Sequence, residues 1–385
     1  MKLSYVTTFD ARDFNVTNNW AGTGYYIPES LKNQSLSIHY IGSLKERLAS
    51  KVFCKLKRHY HELFSEGTYF KALDPLILQH YAHQVSQELS KVETDIVFSA
   101  TITPIAYLEC QQPIVFWADA TFENMLNFYP QYTELCKESI RHGHLMERLA
   151  LQKCKLAIYS SDWAAQTAIN YYQTDPSKVK VVPFGANIEN HMTFDEIKNI
   201  VESRPSNKCK LLFIGYDWLR KSGNIAVELT KILNNAGLDT ELTVIGCTPQ
   251  LEESVSQYVK TLGIISKSTA EGKAMINQLL LESHFLIMPS KAECYGIVFC
   301  EANSFGLPCL ATKVGGIPTI IKDDLNGKLF DKNSDPIEYS EYILNLFENY
   351  TKYKNLALST FHEYESRLNW GIAGQKVKEL LMSLV

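Results

Sequence analysis

The stretch from His284 to Pro318 constrains the fold of this 385-residue chain more than any other. Phe285 to Met288 is a short apolar run stopped by Pro289 and Ser290, the pattern of a buried strand and its C-terminal edge. After a polar loop, Gly296 opens a segment with Ile297, Val298, Ala302 and Phe305 at helical spacing, closed by Gly306 and Pro308. Leu307 to Ala311 then reads as a second strand, followed by the turn pair Gly315-Gly316. Strand, helix and strand at this length form a parallel βαβ unit, and open α/β sheets place ligands at its upper rim. Glu293 and Glu301 bracket the start of the helix, with a glycine and free backbone N–H groups between them. That combination suits a phosphate and a hydroxylated ligand held together.

The nonapeptide Glu293-Cys294-Tyr295-Gly296-Ile297-Val298-Phe299-Cys300-Glu301 is followed by Ala302, Gly306, Pro308, Gly315, Gly316 and Pro318. This series resembles the E-x7-E signature of retaining glycosyltransferases of the GT-B fold, in particular the GT4 family, the glycosyl transferases group 1. The resemblance is clear over about residues 205–330 and thin over 40–110. It implies an α/β chain of two Rossmann-like domains facing each other across a cleft. Residues 1–190 are expected as the acceptor-side domain, 191–208 as a polar linker and 209–368 as the nucleotide-sugar domain. A helix over 369–385 is expected to return to the first domain.

Bulk properties agree with two soluble domains. Apolar residues make up 45% and charged residues 21% of a chain too long for one ordinary core. A net charge of −4 leaves no electrostatic footprint for nucleic acid. No apolar stretch reaches the roughly 18 residues of a membrane span, and the N-terminus has no signal-peptide core. Nine scattered cysteines suit reduced core thiols, so a cytoplasmic protein is expected. Asn15-Val16-Thr17 fits a glycosylation acceptor but has no secretion signal ahead of it. Lys45, Arg47, Lys51, Lys55, Lys57 and Arg58 form a basic run opposed only by Glu46. It reads equally as a solvated helix face or as a weak peripheral contact of residues 45–58 with the inner face of a membrane.

In the first half, Leu3 to Thr8, Leu36 to Ile41, Asp95 to Ser99 and Pro113 to Trp117 read as strands. Gly22, Thr23 and Gly24 precede a helix and are either a ligand-facing loop or a plain tight turn. Asp119 leaves the end of a buried strand, placed for an active site or for capping the next segment, with Thr121 beside it. His59, His61, His80 and His83 have no compact metal spacing. In the second half, Cys209 to Gly215 is a strand leading to Trp218-Leu219-Arg220-Lys221. Positive charge at this strand-to-helix junction opposes the helix dipole unless an anion sits there. Leu262 to Ile265 and Thr319 to Ile321 read as further short strands.

The resemblance assigns roles. Lys221 stands where the family has its lysine, whereas Tyr216 stands where an arginine is usual, so Arg220 is expected to supply the second charge. Lys221, Arg220 and the N–H groups of Gly296, Ile297 and Val298 would hold a leaving diphosphate. Glu293 would meet the transferred sugar, Glu301 the ribose, and Asp119 the reacting centre. Gly215, Gly246, Ile264 and Tyr295 would line the donor, and Gly22, Thr23 and Gly24 its phosphate or the acceptor. The implied donor is a UDP- or GDP-linked sugar and the acceptor a hydroxyl of a glycan, lipid-linked or small molecule. No Asp-x-Asp pair offers a metal clamp, so metal-independent transfer is expected. The altered Tyr216 position leaves an inactive nucleotide-sugar-binding partner of another transferase as the alternative.

Overall fold

The computed structural model describes residues 1–14, 20–64 and 67–384. The Asn15-Val16-Thr17 acceptor lies outside the described residues. The chain divides into two compact units, Met1–Pro183 with Trp370–Val385, and Phe184–Asn369.

The first unit begins β1 (Lys2–Val6), α1 (Thr23–Lys32), β2 (Ser37–Ile41), α2 (Leu48–Phe64) and α3 (Pro75–Leu89). It continues β3 (Ile96–Ser99), β4 (Ile114–Ala118), α4 (Phe122–Met125) and α5 (Lys137–Lys153). β5 (Leu156–Tyr159), α6 (Asp162–Asn170) and β6 (Val179–Val181) complete a six-stranded sheet of order β2-β1-β3-β4-β5-β6. All its pairings are parallel. The central strands β3, β4 and β5 are buried at every residue, as strands covered on both faces must be.

The second unit holds α7 (Phe194–Ser203), β7 (Lys208–Ile214), α8 (Gly223–Asn235), β8 (Asp239–Ile245), β9 (Val259–Thr261) and α9 (Ala270–Glu282). β10 (Phe285–Met288), α10 (Ile297–Asn303), β11 (Cys309–Thr312), α11 (Ile317–Ile320) and β12 (Gly327–Phe330) follow. Two long helices, α12 (Pro336–Glu348) and α13 (Tyr350–Arg367), close the unit. Its sheet is also parallel, in the order β12-β11-β10-β7-β8-β9. This is the doubly wound Rossmann order, with the direction of winding reversing between β7 and β10.

The last helix, α14 (Trp370–Met382), belongs to the first unit. Trp370 stacks on Tyr26 of α1, with ring centroids 6.0 Å apart, and meets Trp117 of β4 edge-on at 5.6 Å. A Cβ on Gly374 would lie 2.6 Å from the Ser30 carbonyl oxygen, so the helices touch backbone to backbone there.

Three sequence expectations need correction. The polar stretch 191–208 is not a free linker. It carries α7, capped by a Thr193/Glu196 capping box, whose Ile197 and Val201 are fully buried in the second core. Thr319 to Ile321 is not a strand. Pro318 sits in the first turn of α11, where its fixed φ favours a helix despite the β-branched neighbours. The strand expected over Leu262 to Ile265 ends at Thr261, because Gly263 turns to φ +66° and its carbonyl accepts the Gly246 N–H at 2.7 Å.

Candidate functional site

Because β7 and β10 are adjacent and parallel, the loops that follow them open at the same sheet edge. That edge is the topological switch point, where an α/β sheet leaves a crevice for ligand. The loop after β7 carries Arg220 and Lys221, and the loop after β10 carries Glu293.

The three side chains converge. Lys221 Nζ donates to Glu293 Oε1 at 2.7 Å, and Arg220 Nη1 reaches the same oxygen at 3.2 Å. Ser290 Oγ adds a third contact at 3.3 Å. Arg220 is fixed from behind by the Ala292 carbonyl at 2.6 Å and by Asp217, whose Oδ1 accepts its backbone N–H at 3.0 Å. Glu293 is only 6% exposed. Burial pushes its carboxyl toward the neutral form, but the Lys221 and Arg220 charges outweigh burial and hold it below the ordinary carboxylate range. An ionised, nearly buried carboxylate therefore faces two cations at the crevice.

Glycines shape this pocket by packing. A Cβ on Gly215 would lie 2.2 Å from Lys221 Cδ, so the lysine stem crosses the strand end only because the residue is glycine. Gly246, at φ +96°, backs onto Gly215, with a Cβ position 2.8 Å from the Gly215 backbone. Gly296 caps α10 in the left-handed region at φ +93°, with Ile297 and Val298 as the first helical residues. Glu301, one turn on, is 2% exposed and paired with Lys267 at 2.5 Å. Lys267 escaped the sequence reading because its partner is 34 residues away, and no local spacing encodes the pair.

Other expected residues fall differently. Tyr216 is 75% exposed, while Arg220 occupies the cationic position against Glu293. Tyr295 does not offer its side chain to a ligand: it is buried, its hydroxyl donates to the Phe184 carbonyl at 2.8 Å, and its ring packs on Phe184. Ile264 is 73% exposed in the loop beyond β9. In the first unit, Asp119 follows β4 directly and is partly exposed. The cap of α4 is Thr121, in a reciprocal box with Asn124, so capping is not the task of Asp119. Gly22, at φ +93°, precedes α1, and Thr23 and Gly24 are buried in its first turn. The Gly24 carbonyl accepts from the Tyr5 hydroxyl at 3.0 Å.

Residues 195–360 match the family model for glycosyl transferases group 1. The matched residues all lie within the second unit. A D-inositol 3-phosphate glycosyltransferase of Thermobifida fusca is 25% identical over 228 residues, which are 56% of this chain and 52% of that protein. An uncharacterized glycosyltransferase of Methanocaldococcus jannaschii is 36% identical over 161 residues, 41% of this chain and 44% of that one. The chain thus spans about half the length of the curated relatives it matches. Sucrose-phosphate synthase from Thermosynechococcus elongatus superimposes with a TM-score of 0.71 at 12% identity, covering 100% of this chain and 99% of that one. Anabaena HepE, solved in complex with UDP and glucose, gives 0.64 at 17% identity and covers 100% of both chains. The chain therefore has the GT-B fold.

Proposed function

We propose that this chain is a member of the glycosyl transferases group 1 and transfers a sugar from a nucleoside diphosphate sugar to a hydroxyl acceptor, with retention at the anomeric carbon. The observation that carries the reading is the convergence of Lys221 and Arg220 on Glu293 at the switch point of the second sheet. The ammonium of Lys221 and the guanidinium of Arg220 carry N–H donors of the kind that suit diphosphate oxygens. As the bond to the sugar breaks, charge grows on the leaving diphosphate, and two fixed cations stabilise that charge without reorganising. Gly296, Ile297 and Val298 add backbone N–H groups at the same edge.

Glu293, held ionised, accepts hydroxyls of the transferred sugar. Glu301 accepts ribose hydroxyls, with Lys267 fixing one of its oxygens. A UDP- or GDP-linked donor fits this division of labour, and HepE, solved with UDP and glucose, supports a nucleotide-sugar donor. With cations supplied by side chains, the diphosphate needs no divalent ion. Asp119, at the end of β4, is the first unit's candidate for orienting the reacting hydroxyl, and Gly22 to Gly24 for acceptor contact.

The test is nucleoside diphosphate release from a panel of UDP- and GDP-sugars with acceptor extracts, in the presence and absence of EDTA. Acceptor-dependent release that survives EDTA and falls about a hundredfold in Lys221→Ala and Glu293→Gln is expected. Nucleotide binding without turnover on any acceptor, or release to water unaffected by Lys221→Ala, overturns the reading.

A further inference from the structure

Helix α2 is turned the opposite way from an ordinary surface helix. Among the described residues, seven of the eighteen exposed large apolar side chains lie on it. At about 100° per residue, Leu48, Val52, Leu56, Tyr60, Leu63 and Phe64 fall within one arc of about 160°. Phe53, 44% exposed, lies in the same arc. Leu48 is 79% and Phe64 74% exposed, so the arc faces solvent along its whole length. Lys51, Lys55 and Arg58 form the adjoining arc and are all exposed.

What ties α2 to its unit is polar. Only Cys54 and His61 of the helix are buried. Lys57 Nζ donates to Asp74 Oδ2 at 3.0 Å and to Glu138 Oε1 at 2.7 Å, and His61 Nε2 lies 2.8 Å from Glu138 Oε2. Asp74, Glu138 and His142 present ligand atoms within 4.8 Å of one another, but the Lys57 ammonium already takes both carboxylates. The anchor therefore fixes the helix with its apolar side outward. A solvent-facing apolar surface of this extent is costly in water and marks an interaction site.

We propose that α2 seats the chain on an anionic phospholipid bilayer, with its apolar arc among the upper acyl chains and Lys51, Lys55 and Arg58 at the headgroups. Charge complementarity selects this occupant. The cationic flank lies beside the apolar arc, where long basic side chains reach phosphates while their stems stay with the lipid. A second copy packed on the same face would find one acidic group on α2, Glu62, already 3.7 Å from His59. The surface is apolar first and basic second, so binding is expected to survive salt in part.

The experiment is sedimentation of the full chain with vesicles of phosphatidylcholine alone and of phosphatidylcholine with phosphatidylglycerol. Binding to the anionic vesicles is expected. Leu56→Ser with Leu63→Ser should weaken it at least about tenfold, since each leucine side chain loses its transfer into lipid. Lys51→Gln with Lys55→Gln should weaken it by about tenfold as well and remove the preference for phosphatidylglycerol. All four side chains are exposed, so unchanged melting temperatures are expected and would show that the variants fold. No sedimentation with either vesicle overturns the proposal. So does a dimer in solution that the leucine substitutions dissociate. Neither readout depends on sugar transfer, so the outcome is independent of the proposed activity.

Discussion

Lys221 lies with its stem across Gly215, and this single contact sets where its charge arrives. A methyl at position 215 would meet Cδ at 2.2 Å, and the lysine must then leave its place against Glu293. Gly215→Ala is therefore expected to weaken nucleoside diphosphate binding about 10- to 100-fold, the worth of one charge-assisted contact. Isothermal titration with UDP and GDP, beside a melting curve unchanged from the parent chain, checks it. The glutamates were legible in the sequence because they sit in one ordered series of glycines and prolines, and the lysine because it follows the strand-end Gly215 at the spacing the resemblance expects. Tyr295 and Lys267 were not. Whether a tyrosine in such a loop points to ligand or to core depends on an acceptor 111 residues away, the Phe184 carbonyl. The pairing of Lys267 with Glu301 likewise depends on how the loop beyond β9 meets α10.

At the scale of elements, the buried parallel strands were readable as short apolar runs, and their boundaries moved by only a residue or two. Helices whose buried residues are spaced among polar and charged neighbours were harder. α7 buries Ile197 and Val201 among charged neighbours, and α13 follows α12 with only Asn349 between them, without a side-chain cap. Two buried ionisable groups make the units respond to acid in opposite directions. In the first, burial raises the Glu147 carboxyl to about 7 from 4.5, against opposing hydrogen bonds from the Phe122 N–H and the Tyr159 hydroxyl. The folded unit keeps a proton the unfolded chain has lost, so this stability is full below pH 4.5. It disappears, by on the order of 3 kcal/mol, as pH rises to about 7.

In the second unit, burial and then the Arg204 charge lower His284 to about 3 from 6.5. Its Nδ1 accepts the Lys210 N–H, leaving Nε2 to donate to the Pro205 carbonyl, which is the neutral ring. That stability is full above pH 6.5 and falls by about 1.4 kcal/mol per unit as the pH drops toward 3. Hydrogen exchange followed segment by segment from pH 6.5 to 4.5 should show protection rising around β4 and β5 while it falls around β7 and β10. Glu147→Gln should flatten the first trend alone.

At the scale of the molecule, a chain that makes one unit from residues 1–183 and 370–385 has threaded the other between them. The sequence carried a trace of this, since the tail reads as an amphipathic helix. Its partner was not legible, because Gly374 and Trp370 acquire meaning only against Ser30, Tyr26 and Trp117. The threading has a mechanical result. Tension applied between the two ends of the chain enters and leaves through the first unit, and the second carries none until α14 has been pulled away. In an optical trap, the first rupture should release the first unit's contour length, with the second unit still intact behind it.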